Sequence, residues 1–298
     1  MLRALQERVH LIDVRIAVID MYPKGKGPKG PTVAEAVLAV QRQITEHFAP
    51  IWGCGASLSL RKSPNLESGC FADDLQDVDG IVYISPRAKT FEEPALKGRK
   101  IDHASAFHYK EHGGIPCGFV FPEIAAQNKV TWSVLLSHEL LELIIDPDVN
   151  LLVGGVLPGT KHTVLVAYEV CDPVQCTTYE IDGVKVGNFV TPQYFKINPR
   201  RRGRFENTNY LNEPLRPFDV ADGGSYTYFD PSAGKWSPFP DGNYGPFKKI
   251  RDELGDVPRT RRRIARFIRP ASQTQWETLW YGCADYSSRC GGNGGGGN

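Results

Sequence analysis

The chain has seven cysteines, an odd number, and no two of them form a CxxC pair. Scattered at positions 54, 70, 117, 171, 176, 283 and 290, they supply neither a cysteine zinc site nor a fully paired disulfide framework. Cys283 and Cys290 lie close enough in sequence to pair in an oxidising environment. No apolar run approaches the roughly 18 residues that a membrane span requires. Residues 1–20 lack a signal-peptide pattern, because Arg and His interrupt the apolar stretch and no small-residue cleavage site follows. The expectation is a cytoplasmic protein, or one packaged by another route. Neither sign of charge dominates: 35 Lys and Arg against 34 Asp and Glu leave a net +1. That balance excludes a basic nucleic-acid binder or an acidic solvating chain as the character of the whole molecule.

What is present suffices for a core. Of the 298 residues, 41% are apolar, which rules out wholesale disorder, while 30 Gly and 22 Pro predict many loops. Residues 14–20 (VRIAVID) read as a buried strand, and Thr32 is placed to cap a helix running to about residue 48. Further strands are expected at 56–60, 80–85 and 118–121, then a helix over 132–145. Beyond Pro147 the character changes to short strands at 164–168, 178–181 and 184–189, with Asp182-Gly183 as a hairpin signal, and another at 223–229. The order predicts an α+β fold: a mixed sheet with one chemistry-bearing helix, followed by a β- and loop-rich C-terminal half. Residues 12–240 form the expected domain, and 250–298 a basic, Gly-rich extension containing RTRRRIARFIR at 259–269 and a Gly/Asn tail.

The chemistry concentrates at residues 134–147 (VLLSHELLELIIDP). Residues four apart lie on one helix face, so His138 and Glu142 stack, with Glu139 about 100° around. Nearly every other residue here is apolar, and such a helix is normally buried. An imidazole and two carboxylates on it must then be paired, hydrated in a cleft or bound to metal. Zinc proteases with HExxH use the same spacing for two ligands, with the intervening Glu as general base; here a carboxylate takes the second ligand position. A solvated polar stripe is the alternative. A second acidic segment, AYEVCDP at 167–173, supplies Glu169 and Asp172.

These segments resemble the HExxE-type zincin-like metallopeptidase family of bacteria and their phages, with its succession HExxE, DPxxN and ExxD; plant phosphate-induced secreted proteins are a more distant likeness. The resemblance extends to 41–56, 106–109 with 114–116, 178–183, 188–195 and 223–226, and so spans about residues 12–240. It implies a zincin-like domain and a metal-dependent hydrolase in which Glu139 activates a metal-bound water toward a peptide or protein substrate. His138 and Glu142 take the ligand positions for zinc, or another divalent metal. Glu169 is the expected third ligand, which leaves a fourth position for water. Asp172 is the alternative third ligand, and Asp146 and Asn150 match the remaining polar positions. Asp146 precedes Pro147, where a helix should stop, so a hydrogen-bonding role at the helix end competes with ligation.

Three histidines in 102–114 (DHASAFHYKEHGG) invite a metal reading; His108 or Tyr109 could line the cleft, against the alternative of a solvated loop. Two carboxylate ligands would cancel the charge of a divalent ion and acidify its water less, which points toward a harder metal or a structural role. A non-enzymatic structural or binding component, for instance of a phage particle docked through the C-terminal extension, is therefore the rival reading. Nucleic-acid binding through residues 200–204 and 259–269 is disfavoured, because aromatic stacking residues are not interleaved with the arginines.

Overall fold

In a computed structural model of the chain, residues 12–62, 77–86, 105–112, 115–196 and 207–240 are described. The basic segments at 200–204 and 259–269, the Gly-rich tail, His103 and the Cys283–Cys290 pair lie outside them. Strand β1 (Ile12–Asp20) leads through helix α1 (Val33–Arg42), a π-helical turn at Gln43–Phe48 and a short helix α2 (Ala49–Trp52) into β2 (Cys54–Lys62). Thr32 caps α1 as its sequence predicts: its Oγ1 accepts from Glu35 N at 3.2 Å, and Glu35 Oε2 accepts from Thr32 N at 2.7 Å. Strands β3 (Gly80–Ile84), β4 (Ala106–His112) and β5 (Ile115–Val120) complete a five-stranded sheet in the order β2-β1-β3-β5-β4. It is mixed: β1, β2, β3 and β5 run parallel, and only the edge strand β4 is antiparallel. β3 is buried throughout because both its faces are covered, which is why it reads as an unbroken apolar run.

The segment around His108 is a correction to the sequence reading. It is not a solvated loop but strand β4, with His108 paired opposite Gly118. Successive residues alternate across a sheet, so Phe107 stacks on Phe119 at 5.2 Å on one face while His108 points to the other. Helix α3 (Pro122–Gln127) and then α4 (Trp132–Ile145) follow. All fourteen residues of α4 are buried, between β4 and β5 on one side and later strands on the other.

A second, antiparallel sheet has the order β11-β10-β7-β6, built from β6 (Leu152–Val156), β7 (Thr163–Ala167), β10 (Tyr226–Asp230) and β11 (Lys235–Phe239). Between β7 and β10, β8 (Thr178–Ile181) and β9 (Val184–Gly187) form a hairpin. Its turn residues Asp182 and Gly183 both have positive φ (51° and 76°), the requirement that makes Asp-Gly a hairpin signal. This hairpin clamps α4: Gly187 N donates to Ser137 Oγ at 2.7 Å, and Ser133 Oγ donates to Lys185 O at 2.7 Å. One hydrophobic core joins both sheets to α1 and α4. The fold is thus α+β with few helices, and none of those described is long and apolar enough to cross a membrane.

Residues 171–174 are held by close backbone contact. Ser225 N donates to Asp172 O at 3.1 Å and Ala221 N to Pro173 O at 2.9 Å. Gly224 permits this approach, since a Cβ there would collide with the Pro173 carbonyl oxygen and sit 2.8 Å from its carbon. Gly224→Ala is expected to cost roughly 1–3 kcal/mol, as overpacking against backbone does. Gly27→Ala, whose Cβ meets nothing within 4 Å, is expected to change stability by no more than about 0.5 kcal/mol. Urea midpoints compare the two, and equal midpoints would mean that the 171–174 turn shifts freely.

Candidate metal centre

Helix α4 sets the His138–Glu142 pair. The helical rise stacks them, and His138 Nε2 lies 3.2 Å from Glu142 Oε2. The other Glu142 oxygen, Oε1, accepts from the backbone N–H groups of Cys171 and Asp172 at 3.2 and 3.3 Å. These two amides fix the Glu142 carboxylate and tie the helix to the segment after β7. Asp172 reaches back, with Oδ1 3.5 Å from His138 Nε2. Glu139 turns toward β4, where His108 Nδ1 stands 2.9 Å from Glu139 Oε2 and 3.8 Å from Glu142 Oε2.

Every member of the cluster is deeply buried: His108 is 2% exposed, His138, Glu139 and Glu169 are each 4%, Glu142 is 3% and Asp172 is 6%. Four carboxyls thus share a buried space with two imidazoles, so acidic side chains outnumber the bases that could offset them. Burial, with Asp172 and Glu169 nearby and only partly offset by His138, pushes the Glu142 carboxyl up to about 7. Burial opposes a charged His138, but Glu142 and Asp172 outweigh it, and the ring is held well above its ordinary value. His108 is raised for the same balance of reasons, with Glu139 as its main support. The Cys171 thiol is pushed well up by burial first and by Glu142 and Asp172 next.

Two overlapping sets of donor atoms lie within 4.8 Å of one another, His138–Glu142–Cys171 and His108–Glu139–Glu142. The donor chemistry fits a divalent cation: imidazole, carboxylate and sulfur are all zinc ligands, and a cation offsets the crowding of buried carboxyls. Glu169 is buried and interacts electrostatically with both Glu142 and His108. Asp146 has another task. Its Oδ1 accepts from Asn150 N at 2.8 Å and its Oδ2 from Leu151 N at 3.1 Å, so it ties off the turn after α4. Asn150 contributes its backbone to that turn. These bonds fit the helix-end role offered by its place before Pro147. Tyr109 pairs opposite Cys117 in β4, and its backbone alone is described. Cys171, a member of one donor set, is not part of the sequence motif, although it lies inside it between Glu169 and Asp172.

No family profile matches this chain, and no curated protein or solved structure matches it either.

Proposed function

We propose that this chain is a zincin-like, metal-dependent hydrolase of the metallopeptidase kind. The observation that carries the reading is the convergence, in one buried cluster, of the HExxE residues of α4 with the acidic segment 169–172 and His108. The zincin-like assignment draws support from the way α4 packs beneath β5 and the antiparallel edge strand β4, and from the sequence resemblance. His138 and Glu142 would hold the ion, with a third donor from 169–172, Glu169 being the residue the family pattern favours. The ion would supply Lewis-acid activation of water and of a substrate carbonyl.

The protein's own groups divide the remaining work. Glu139 accepts a proton as general base, since it lies one residue past a ligand and on a neighbouring face of the helix. His108 holds the Glu139 carboxylate through Nδ1 and keeps it turned toward β4. Glu142 is oriented by two backbone amides, the kind of outer support that conserves ligand geometry. A peptide or protein is the substrate class this arrangement suits.

A second reading, a non-enzymatic component with a structural ion, is favoured by the same burial, because a substrate must reach groups that are at most 6% exposed. Elemental analysis separates both readings from a metal-free one. Zinc-loaded, dialysed protein is expected to retain a single equivalent of metal, and His138→Ala to retain none. A wild-type protein that carries no divalent metal after loading would sink the proposal.

A further inference from the structure

The segment after β7 places a sulfur beside the two helix ligands. Cys171 is 1% exposed and a free thiol. Its Sγ, a ring nitrogen of His138 and a carboxylate oxygen of Glu142 all fall within 4.8 Å of one another. Around a tetrahedral zinc, with N and O ligands at about 2.0 Å and S at about 2.3 Å, ligand atoms stand roughly 3.3–3.5 Å apart. The three are therefore within a small side-chain adjustment of closing on one ion. The Val170–Cys171 peptide that precedes the thiol is held at both of its polar groups. Cys171 N donates to Glu142 Oε1 at 3.2 Å, and Val190 N donates to Val170 O at 2.7 Å.

We propose that Cys171 Sγ is the third protein ligand of the ion held by His138 and Glu142, making a His–Glu–Cys site for zinc-class ions. This rests on the metal-binding reading above and decides its third ligand and its metal class. On coordination the S–H bond breaks, the sulfur–metal bond forms from the sulfur lone pair, and the proton leaves to solvent. A thiol suits this place better than a further carboxylate does. A further carboxylate ligand would crowd a space that already holds four buried carboxyls. A thiolate is also a soft donor, which selects zinc or cobalt and rejects magnesium and calcium, whose ligands are oxygens. Three protein donors leave a fourth position open, the arrangement of catalytic rather than closed structural zinc sites.

The test is cobalt(II) titration of the full-length chain after chelator treatment, read by absorption. Stoichiometric cobalt is expected to give visible ligand-field bands together with a near-ultraviolet sulfur-to-cobalt charge-transfer band. Cys171→Ser is expected to lose the charge-transfer band, and Cys176→Ser, which changes the exposed thiol five residues on, to keep it. X-ray absorption of the zinc-loaded wild type supplies a check that needs no variant: a sulfur neighbour at about 2.3 Å is expected. Ligand-field bands without a charge-transfer band, or a band that survives Cys171→Ser, would overturn the thiolate ligand and leave the metal reading standing. A chain that binds neither cobalt nor zinc would overturn the metal reading itself.

Discussion

Glu142→Gln is expected to abolish zinc binding with the fold preserved, and Glu142→Ala to lose both metal and stability. The difference lies in the two backbone donors that Glu142 Oε1 accepts, those of Cys171 and Asp172. A glutamine amide oxygen can still accept from them. Alanine leaves two buried N–H groups without their acceptor, at roughly 1–3 kcal/mol each. The metal loss is read as a missing thermal shift. A ligand present at about 1,000 times its Kd stabilises the folded state by about 4 kcal/mol, which for a domain of this size raises Tm by roughly 8–16 °C. The pH dependence has a definite sign. Without metal, burial raises Glu142 from 4.5 to about 7, so the folded state takes up a proton across that interval and loses stability as pH rises through it. His138 is raised well above 6.5, so its contribution is present below that value and is also lost as pH climbs through the folded one. Zinc needs both groups deprotonated, so its stabilisation grows over the same window. Melting of the wild type with zinc and with chelator, from about pH 5.5 to about pH 8, is expected to show a widening gap in Tm. A gap that narrows with pH, or a Glu142→Gln protein with the wild-type zinc shift, would remove Glu142 from the ligand set.

Much of the frame was legible because local and tertiary demands coincide there. Helix α4 runs from Trp132 to Ile145 as its apolar pattern and Pro147 predict. Thr32 caps α1, and Asp182-Gly183 turns the β8–β9 hairpin, because each residue type meets a backbone requirement stated within a few positions. The elements that sequence reasoning overlooked owe their existence to partners. β4 is written in histidines, a lysine and a glutamate that read as a loop, and it becomes a strand by pairing with β5. β6 carries adjacent glycines, Gly154 and Gly155, and weak strand character of its own, but β7 and the Phe218 ring that fills the space at Gly155 hold it in place. β11 contains Pro238, tolerable because the strand is at a sheet edge.

The site divides along the same line. The spacing of His138, Glu139 and Glu142 announces a polar stripe on a buried helix, and the Pro after Asp146 announces a turn that needs tying. Neither says which distant groups meet the stripe. His108 lies 31 residues before Glu139 and Cys171 lies 29 after Glu142. Their arrival depends on the β4–β5 pairing and on the β7 exit, contacts that no periodicity encodes. The sulfur in particular is invisible to a search for carboxylates in an ExxD pattern.

Glu139→Gln is expected to keep metal and fold while lowering hydrolysis of any cleaved substrate by at least about 10²-fold, the scale of a general base. Glutamine is nearly isosteric, and its amide oxygen can still accept from His108 Nδ1, now 2.9 Å from Glu139 Oε2. What it cannot do is take a proton. The loss should therefore fall on kcat rather than KM, since the residue acts in the reaction and not in substrate binding. Quenched-fluorescent peptide libraries and small ester substrates give the assay, and zinc content of the same preparations shows that the ion stays. His108→Gln is a useful companion. It keeps a donor for the Glu139 carboxylate but not a ring, so it should reduce kcat less than Glu139→Gln does if His108 only positions the base. Turnover by Glu139→Gln at the wild-type rate would take the base out of the mechanism. A zinc-loaded wild type inert toward every peptide and ester tried would transfer the site to the structural reading, in which the ion joins α4 to the segment after β7 and Glu139 merely pairs with His108.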